Sequence, residues 1–306
     1  MVENFFRQAL RQWLPDGQAA DDGVAEVAKR VFESPEARAI KEEMVAVGRK
    51  LWLREYVDGN GGNISYRISP DYVICTPTQC SKGDLSTDDL ALVNLANQRV
   101  LGARPHTSEL LLHLEIYKAV PSARAVIHCH PPHATAYAIT GLVPPGDVIP
   151  EQEVYVGPVA LSPYETPGTQ AFADTVKPYV QAHNTILLAN HGLVCWADSL
   201  THAEWLVEVM DTYCRTLLLA SSLGAPIRNI PPEKIEGLLQ IKKRLGLRDP
   251  RMEQAPPSVP PEPGGGVVTG SAASPAAGKA SNEDAFEALV LSLTEQVMRF
   301  AKGGKL

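Results

Sequence analysis

The sequence predicts an α/β protein: one domain layered around a sheet that is largely antiparallel or mixed. Three observations carry this. Short apolar runs that end at Pro, Gly or His are interspersed with segments of helical period. The two kinds do not follow strict βαβ order, so the sheet is not purely parallel. The 306 residues are 44% hydrophobic, enough for a sizeable core.

The elements follow in chain order. In "VENFFRQALRQWL" (2–14), Val2, Phe5, Phe6, Ala9, Leu10, Trp13 and Leu14 share one helical face. "PDGQAADDG" breaks that helix. A second begins at Ser34, an N-cap followed by Pro35, with Ile40, Met44, Val47 and Leu51 as its buried stripe. "DGNGGN" (58–63) is a tight turn into the alternating strand "ISYRIS", and "YVICTPT" is a strand ended by Pro77. "HTSELLLHLEIYKAVP" reads as a helix from Thr107 or Ser108, with Leu111, Leu114 and Tyr117 facing inward. "ARAVIHCH" is the next strand, and "TILLANHGLVCWAD" holds two short strands around His191 and Gly192. "SLTHAEWLVEVMDTYCRTLLLASSLG" is a long helix stopped by Gly224 and Pro226.

Composition changes near residue 253. Residues 253–281 are rich in Pro, Gly, Ala and Ser without an aromatic, the make-up of a disordered linker. In 282–306, Phe286, Leu289, Val290, Leu293, Val297 and Phe300 form one helical stripe. A lone helix of that length needs a surface to cover it. The predicted organisation is therefore a helical extension (1–33), a globular domain (34–252), a linker (253–281) and an amphipathic helix (282–306).

Charge and cysteines exclude several classes. Lys and Arg number 28 against 35 Asp and Glu, a net charge of −7 with no basic run, which disfavours nucleic acid. No apolar run is long enough to span a membrane and no signal-peptide pattern is present. Five cysteines without a CxxC pair point to a reducing, cytoplasmic setting.

The chemistry concentrates in "AVIHCHPPHATA" (125–136). Alternate strand residues share a face, so His128 and His130 point the same way and Cys129 the other. An H-x-H pair is equally an ordinary polar strand end. His191, at another strand end in "LLANHGLV", adds a third imidazole, and Glu109 in "HTSELLLH" is the best carboxylate to complete a zinc-type donor set. A carboxylate there also suits a helix N-terminus. Asn63 in "GNGGNIS", Thr107 and Ser108 at that helix start, and Thr78, Ser81 and Lys82 in "TPTQCSKG" are anion-binding candidates.

"GNGGNISYR", "TPTQ", "HTSELLLHLEIYKAVPSARAVIHCH" and "ANHG", in this order and at these intervals, resemble the class II aldolase/adducin family over roughly residues 34–225. The L-fuculose-1-phosphate aldolase type is nearest. The resemblance implies a three-layer fold with helices flanking a central, mostly antiparallel or mixed sheet, a homotetramer with active sites between subunits, and one zinc, or another divalent metal, per subunit. It implies that His128, His130 and His191 ligate the metal. Glu109 would ligate it in the resting state and act as acid/base when substrate displaces it. Asn63, Thr78, Thr107 and Ser108 match phosphate-binding positions. Gln79 stands where the family often has Gly, and Lys82 or Ser81 is expected to compensate. Tyr155 is the candidate for the proton-donating tyrosine supplied by a neighbouring subunit, while Tyr164 is expected to pack structurally.

The implied function is cleavage of L-fuculose or L-rhamnulose 1-phosphate to dihydroxyacetone phosphate and L-lactaldehyde. A pentulose-phosphate 4-epimerase, a sugar-phosphate dehydratase or decarboxylase, and a non-catalytic adducin-like module are the alternatives. Residues 282–306, and secondarily 2–14, resemble encapsulation peptides. Such a segment would dock on shell or cargo proteins and place the enzyme in the lumen of a bacterial microcompartment.

Overall fold

The computed structural model describes residues 22–95, 100–247 and 249–252. The expected helices in 2–14 and 282–306 and the linker 253–281 lie outside the described residues.

Helix α1 (Asp22–Phe32) precedes α2 (Pro35–Leu53). As predicted, Ser34 caps α2: its hydroxyl accepts the Ala37 N–H at 3.1 Å, and Met44, Val47 and Leu51 are buried. The sequence reading did not find α1. It joins the core through buried Ala28, and Lys41 donates to the Phe32 carbonyl at 3.0 Å.

The remaining strands and helices are β1 (Asn63–Arg67), β2 (Tyr72–Cys75), β3 (Ala91–Asn94), β4 (Val100–Leu101), α3 (Leu110–Ala119), β5 (Ala125–Cys129), α4 (Pro132–Thr140), β6 (Ala160–Ser162), α5 (Gln170–Asp174), β7 (Thr185–Leu188), β8 (Gly192–Ala197), α6 (Leu200–Ser221) and α7 (Pro232–Arg244). The eight strands form one sheet in the order β4-β3-β2-β1-β5-β8-β7-β6. Every neighbouring pair is antiparallel except β6 with β7, so the sheet is mixed and mostly antiparallel, as expected.

Helices cover both faces. Along β5, Ala125, Ile127 and Cys129 join the core made with Met44, Leu51, Met210 and Tyr213 of α2 and α6. Val126 joins the opposite core, with Leu114 and Tyr117 of α3 and with Phe172 and Val176. Burial on both sides explains why "AVIHC" reads as a continuous run rather than an alternation. Each large side chain so buried contributes roughly 1.5–3 kcal/mol before chain entropy is counted. Strand parity then assigns His128 to the face of Val126, under α3.

Two details differ from expectation. Helix α3 starts at Leu110, later than Thr107 or Ser108, because residues 105–107 first run beside 76–78: Thr78 N–H donates to Pro105 and Thr107 N–H to Thr76. Its inward face is Leu110, Leu112, Leu114, Ile116 and Tyr117, with Leu111 only half-buried. Among the described residues, no helix is long and apolar enough to cross a membrane.

Candidate active site

The register of the sheet assembles the site. Asn63 of β1 pairs with His128 of β5, and His128 pairs with Val194 of β8. His128 is fully buried, and its Nδ1 lies 2.8 Å from the Leu193 carbonyl. A carbonyl only accepts, so Nδ1 carries the proton and Nε2 presents its lone pair. His130 follows the strand end, anchored by its N–H to the Tyr56 carbonyl at 2.8 Å. His191 comes from the turn between β7 and β8, after Asn190 in the left-handed region at φ 55°. Gly192 makes room for this turn: a Cβ there would stand 2.5 Å from the Cys129 carbonyl oxygen and 2.7 Å from the His130 ring.

The three rings converge, with centroids 4.6–5.0 Å apart and the Nε2 atoms of His128 and His130 at 3.1 Å. Glu109 faces them. Its Oε2 is 3.4 Å from His128 Nε2 and its Oε1 3.5 Å from His191 Nε2. It occupies the N-cap position of α3 rather than the first turn, and Asn63 Nδ2 donates to its Oε2 at 2.6 Å.

This donor set fits a zinc-type cation. Bonds of about 2.0–2.1 Å to a tetrahedral ion place neighbouring ligand atoms about 3.3 Å apart. The separations of 3.1, 3.4 and 3.5 Å fall around that edge. Two of the imidazoles are held toward the neutral form a metal needs. Burial first, then His130 and His191, hold His128 well below the usual imidazole range. Burial likewise lowers His191, aided by His130 and opposed by Glu109.

A cleft of about 190 Å³ opens beside the rings, lined among others by Asn63, Thr78, Thr107, Ser108, Glu109, His130 and His191. Gln79 also lines it and sits at φ 51°, the left-handed conformation that favours glycine. The backbone here keeps the path a glycine would take, with a side chain added.

Lys82 and Tyr155 lie outside this cleft, Tyr155 being the residue expected to serve a neighbouring subunit's site. Lys82 does not line the cleft. It is 1% exposed, and its ammonium donates to the carbonyls of Asn60 at 2.9 Å and Cys80 at 2.7 Å. Burial pushes its pKa down to about 8. It ties the Gly–Asn turn to the segment after Thr78 from behind. Tyr155 sits in the π-helical turn Gln152–Val156, 40% exposed, and lines a separate cavity of about 520 Å³ with Trp205 and His183. Tyr164 does not pack structurally: it is 56% exposed, because "SPYETPG" runs over the surface.

The sequence reading also missed partners. His133, the third histidine of the cluster, turns away to α6, where its Nδ1 meets Asp211 at 2.8 Å. Asp211 also accepts the N–H groups of His133 and Ala134, capping α4. Behind Glu109, His113 contacts both Asn63 and Ser65. Its one legible signal was its place four residues after Glu109, on the same helical face.

Comparison with known proteins agrees with this architecture. Residues 42–218 match the class II aldolase and adducin N-terminal domain, and the chain belongs to that family. It is 30% identical over 204 residues to 3-oxo-tetronate 4-phosphate decarboxylase of Haemophilus influenzae, covering 65% of this chain and 96% of that protein. It is 30% identical over 200 residues to 5-deoxy-D-ribulose 1-phosphate aldolase of Bacillus thuringiensis, covering 65% and 92%. Among solved structures, an L-fuculose 1-phosphate aldolase superposes with a TM-score of 0.62 at 26% identity, over 67% of this chain and 96% of that one.

Proposed function

We propose that the chain is a zinc-dependent lyase that breaks the carbon–carbon bond one carbon removed from the ketone of a phosphorylated sugar, C3–C4 where the ketone is C2. The fragment left behind is the enediolate of dihydroxyacetone phosphate. The observation that supports this reading is the convergence of His128, His130, His191 and Glu109 at the edge of a cleft rich in hydroxyls. When bound, the ion would supply Lewis-acid stabilisation of the negative charge that develops on substrate oxygen. Glu109, within reach of both the rings and the cleft, takes the substrate hydroxyl proton and returns one to carbon. Thr78, Thr107, Ser108 and Asn63 hold the phosphate, fixing the reacting carbons from a distance.

The substrate we favour is a deoxyketose 1-phosphate, L-fuculose or L-rhamnulose 1-phosphate, which would release L-lactaldehyde. Tyr155 from a second copy in a homotetramer would stand at the aldehyde oxygen, to which it would give a proton in the reverse, bond-forming direction. A second reading draws on the similarity to the decarboxylase. A 3-oxo-tetronate 4-phosphate that loses its carboxyl as CO2 leaves the same three-carbon enediolate, so one site serves either bond. Incubating the purified chain and zinc with each of these phosphates tests the proposal. Dihydroxyacetone phosphate with lactaldehyde supports the first reading, the same product with CO2 selects the second, and none from any substrate refutes both.

The remaining part of the proposal concerns residues 282–306. Their apolar stripe would dock on a microcompartment shell or cargo protein. Deleting 282–306 is then expected to leave turnover intact and abolish co-purification with shells; loss of turnover with shells still bound would contradict it.

A further inference from the structure

A single file of buried hydrogen bonds runs away from the back of Glu109. Asn63 Nδ2 meets Glu109 Oε2 at 2.6 Å, and Asn63 Oδ1 meets His113 Nε2 at 2.5 Å. His113 Nδ1 meets Ser65 Oγ at 2.6 Å, and Ser65 Oγ meets the Tyr117 hydroxyl at 2.9 Å. Glu109, His113 and Tyr117 are successive fourth residues along one face of α3, while Asn63 and Ser65 are alternate residues of β1. Four residues of helix rise about 6.0 Å and two of strand about 6.6–6.8 Å, so the rungs of the two elements line up. His113 and Ser65 are wholly shielded from solvent, so no water replaces a missing partner.

The directions from Glu109 to Ser65 are fixed, while at the far end the Tyr117 hydroxyl is shared between Ser65 and the Arg124 carbonyl, 3.3 Å away. A carboxylate only accepts, so the Asn63 NH2 group must face Glu109 and its carbonyl must face His113. His113 therefore carries its proton on Nε2. Its Nδ1 accepts the Ser65 hydroxyl proton, and Ser65 oxygen accepts from Tyr117. Rotating the Asn63 amide by half a turn would set its carbonyl against the carboxylate. Without a donor at position 113, the carbonyl of Asn63 would be buried and unpaired, and nothing would hold the amide in its present orientation.

We infer that His113 is a positioning residue for Glu109: through Asn63 it fixes where the carboxylate points, while touching neither the cleft nor the three imidazoles. The inference rests on the reading of Glu109 as metal ligand and acid–base group. It adds a buried residue that reaches the chemistry through two hydrogen bonds.

The test uses the full chain and three variants. His113→Phe removes the donor, His113→Gln keeps one at the Nε2 position, and Ser65→Ala removes the hydroxyl that pins the tautomer. Zinc affinity is read by competition with a chelator. Turnover is read as dihydroxyacetone phosphate formed from L-fuculose 1-phosphate. His113→Phe is expected to weaken zinc binding about 10–100-fold and to lower kcat more than it raises KM. Ser65→Ala is expected to lose less in the same direction, and His113→Gln to recover most of both. Wild-type zinc affinity in His113→Phe, or His113→Gln as defective as His113→Phe, would overturn the inference alone. Should His113→Phe not fold, unchanged zinc affinity in Ser65→Ala overturns it. A wild-type chain that takes up no zinc would overturn the reading of the site, and this inference with it.

Discussion

The Nε2 atoms of His128 and His130 stand 3.1 Å apart at the end of β5. Two imidazole nitrogens at this distance need a proton or a cation between them, since two lone pairs repel. The Leu193 carbonyl fixes the His128 tautomer so that Nε2 is free, and strand parity turns both rings to the α3 side. The backbone thus prepares the pair before any ion arrives.

Replacing Glu109 by Gln keeps the shape of the side chain and removes its charge and basicity. Zinc is expected to remain partly bound through the three imidazoles, while turnover falls by about 10²–10⁴-fold, the usual contribution of a general acid–base. Parallel zinc titration and product formation check this. Undiminished turnover would remove Glu109 from the mechanism.

Lys82 supplies the next prediction, because its ammonium donates to two carbonyls behind the cleft. Lys82→Met is expected to cost about 1–3 kcal/mol of stability by leaving those carbonyls without a donor. Thermal unfolding without substrate reads this directly. A direct phosphate contact would behave differently, with normal stability and a raised KM only for phosphorylated substrates.

Acid dependence should trace to the buried pair of Lys242 and Asp249. Burial on its own would raise the Asp249 pKa, but hydrogen bonds from Arg251 and Lys242 overcome it and bring it from 3.8 down to about 2. A carboxylate with a depressed folded-state pKa stabilises the protein above its unfolded value and loses that contribution as pH falls through the folded value. The gap in Tm between wild type and Asp249→Asn is therefore expected to be full at pH 6 and to close between about pH 4 and pH 2. A gap independent of pH would contradict it. Lys242 also donates to the carbonyls of Glu153 and Val156, which bracket Tyr155.

The sequence made the metal-type donor set legible because its members mark themselves. Histidines at strand ends are rare enough to stand out, and parity alone puts His128 and His130 on one side. The layered, mostly antiparallel sheet followed from the order of periodic segments. Other features rest on contacts distant in sequence, which local pattern does not encode. Lys82 beside "TPTQ" looks like a phosphate ligand, and only the fold turns it toward Asn60 and Cys80. His133 stands three residues after His130, and only the packing of α4 on α6 pairs it with Asp211. Helix α1 was hidden by the Gly and Asp residues at its start. His113 sat in plain view among leucines, but its role depends on Asn63, 50 residues away.

Zinc titration by calorimetry tests the central claim most directly. It uses the full chain stripped of metal, beside the single variants His128→Ala, His130→Ala and His191→Ala. The account predicts one ion bound per chain in wild type, with affinity reduced by orders of magnitude in each variant. No uptake by wild type, or uptake that all three variants leave unchanged, would contradict it.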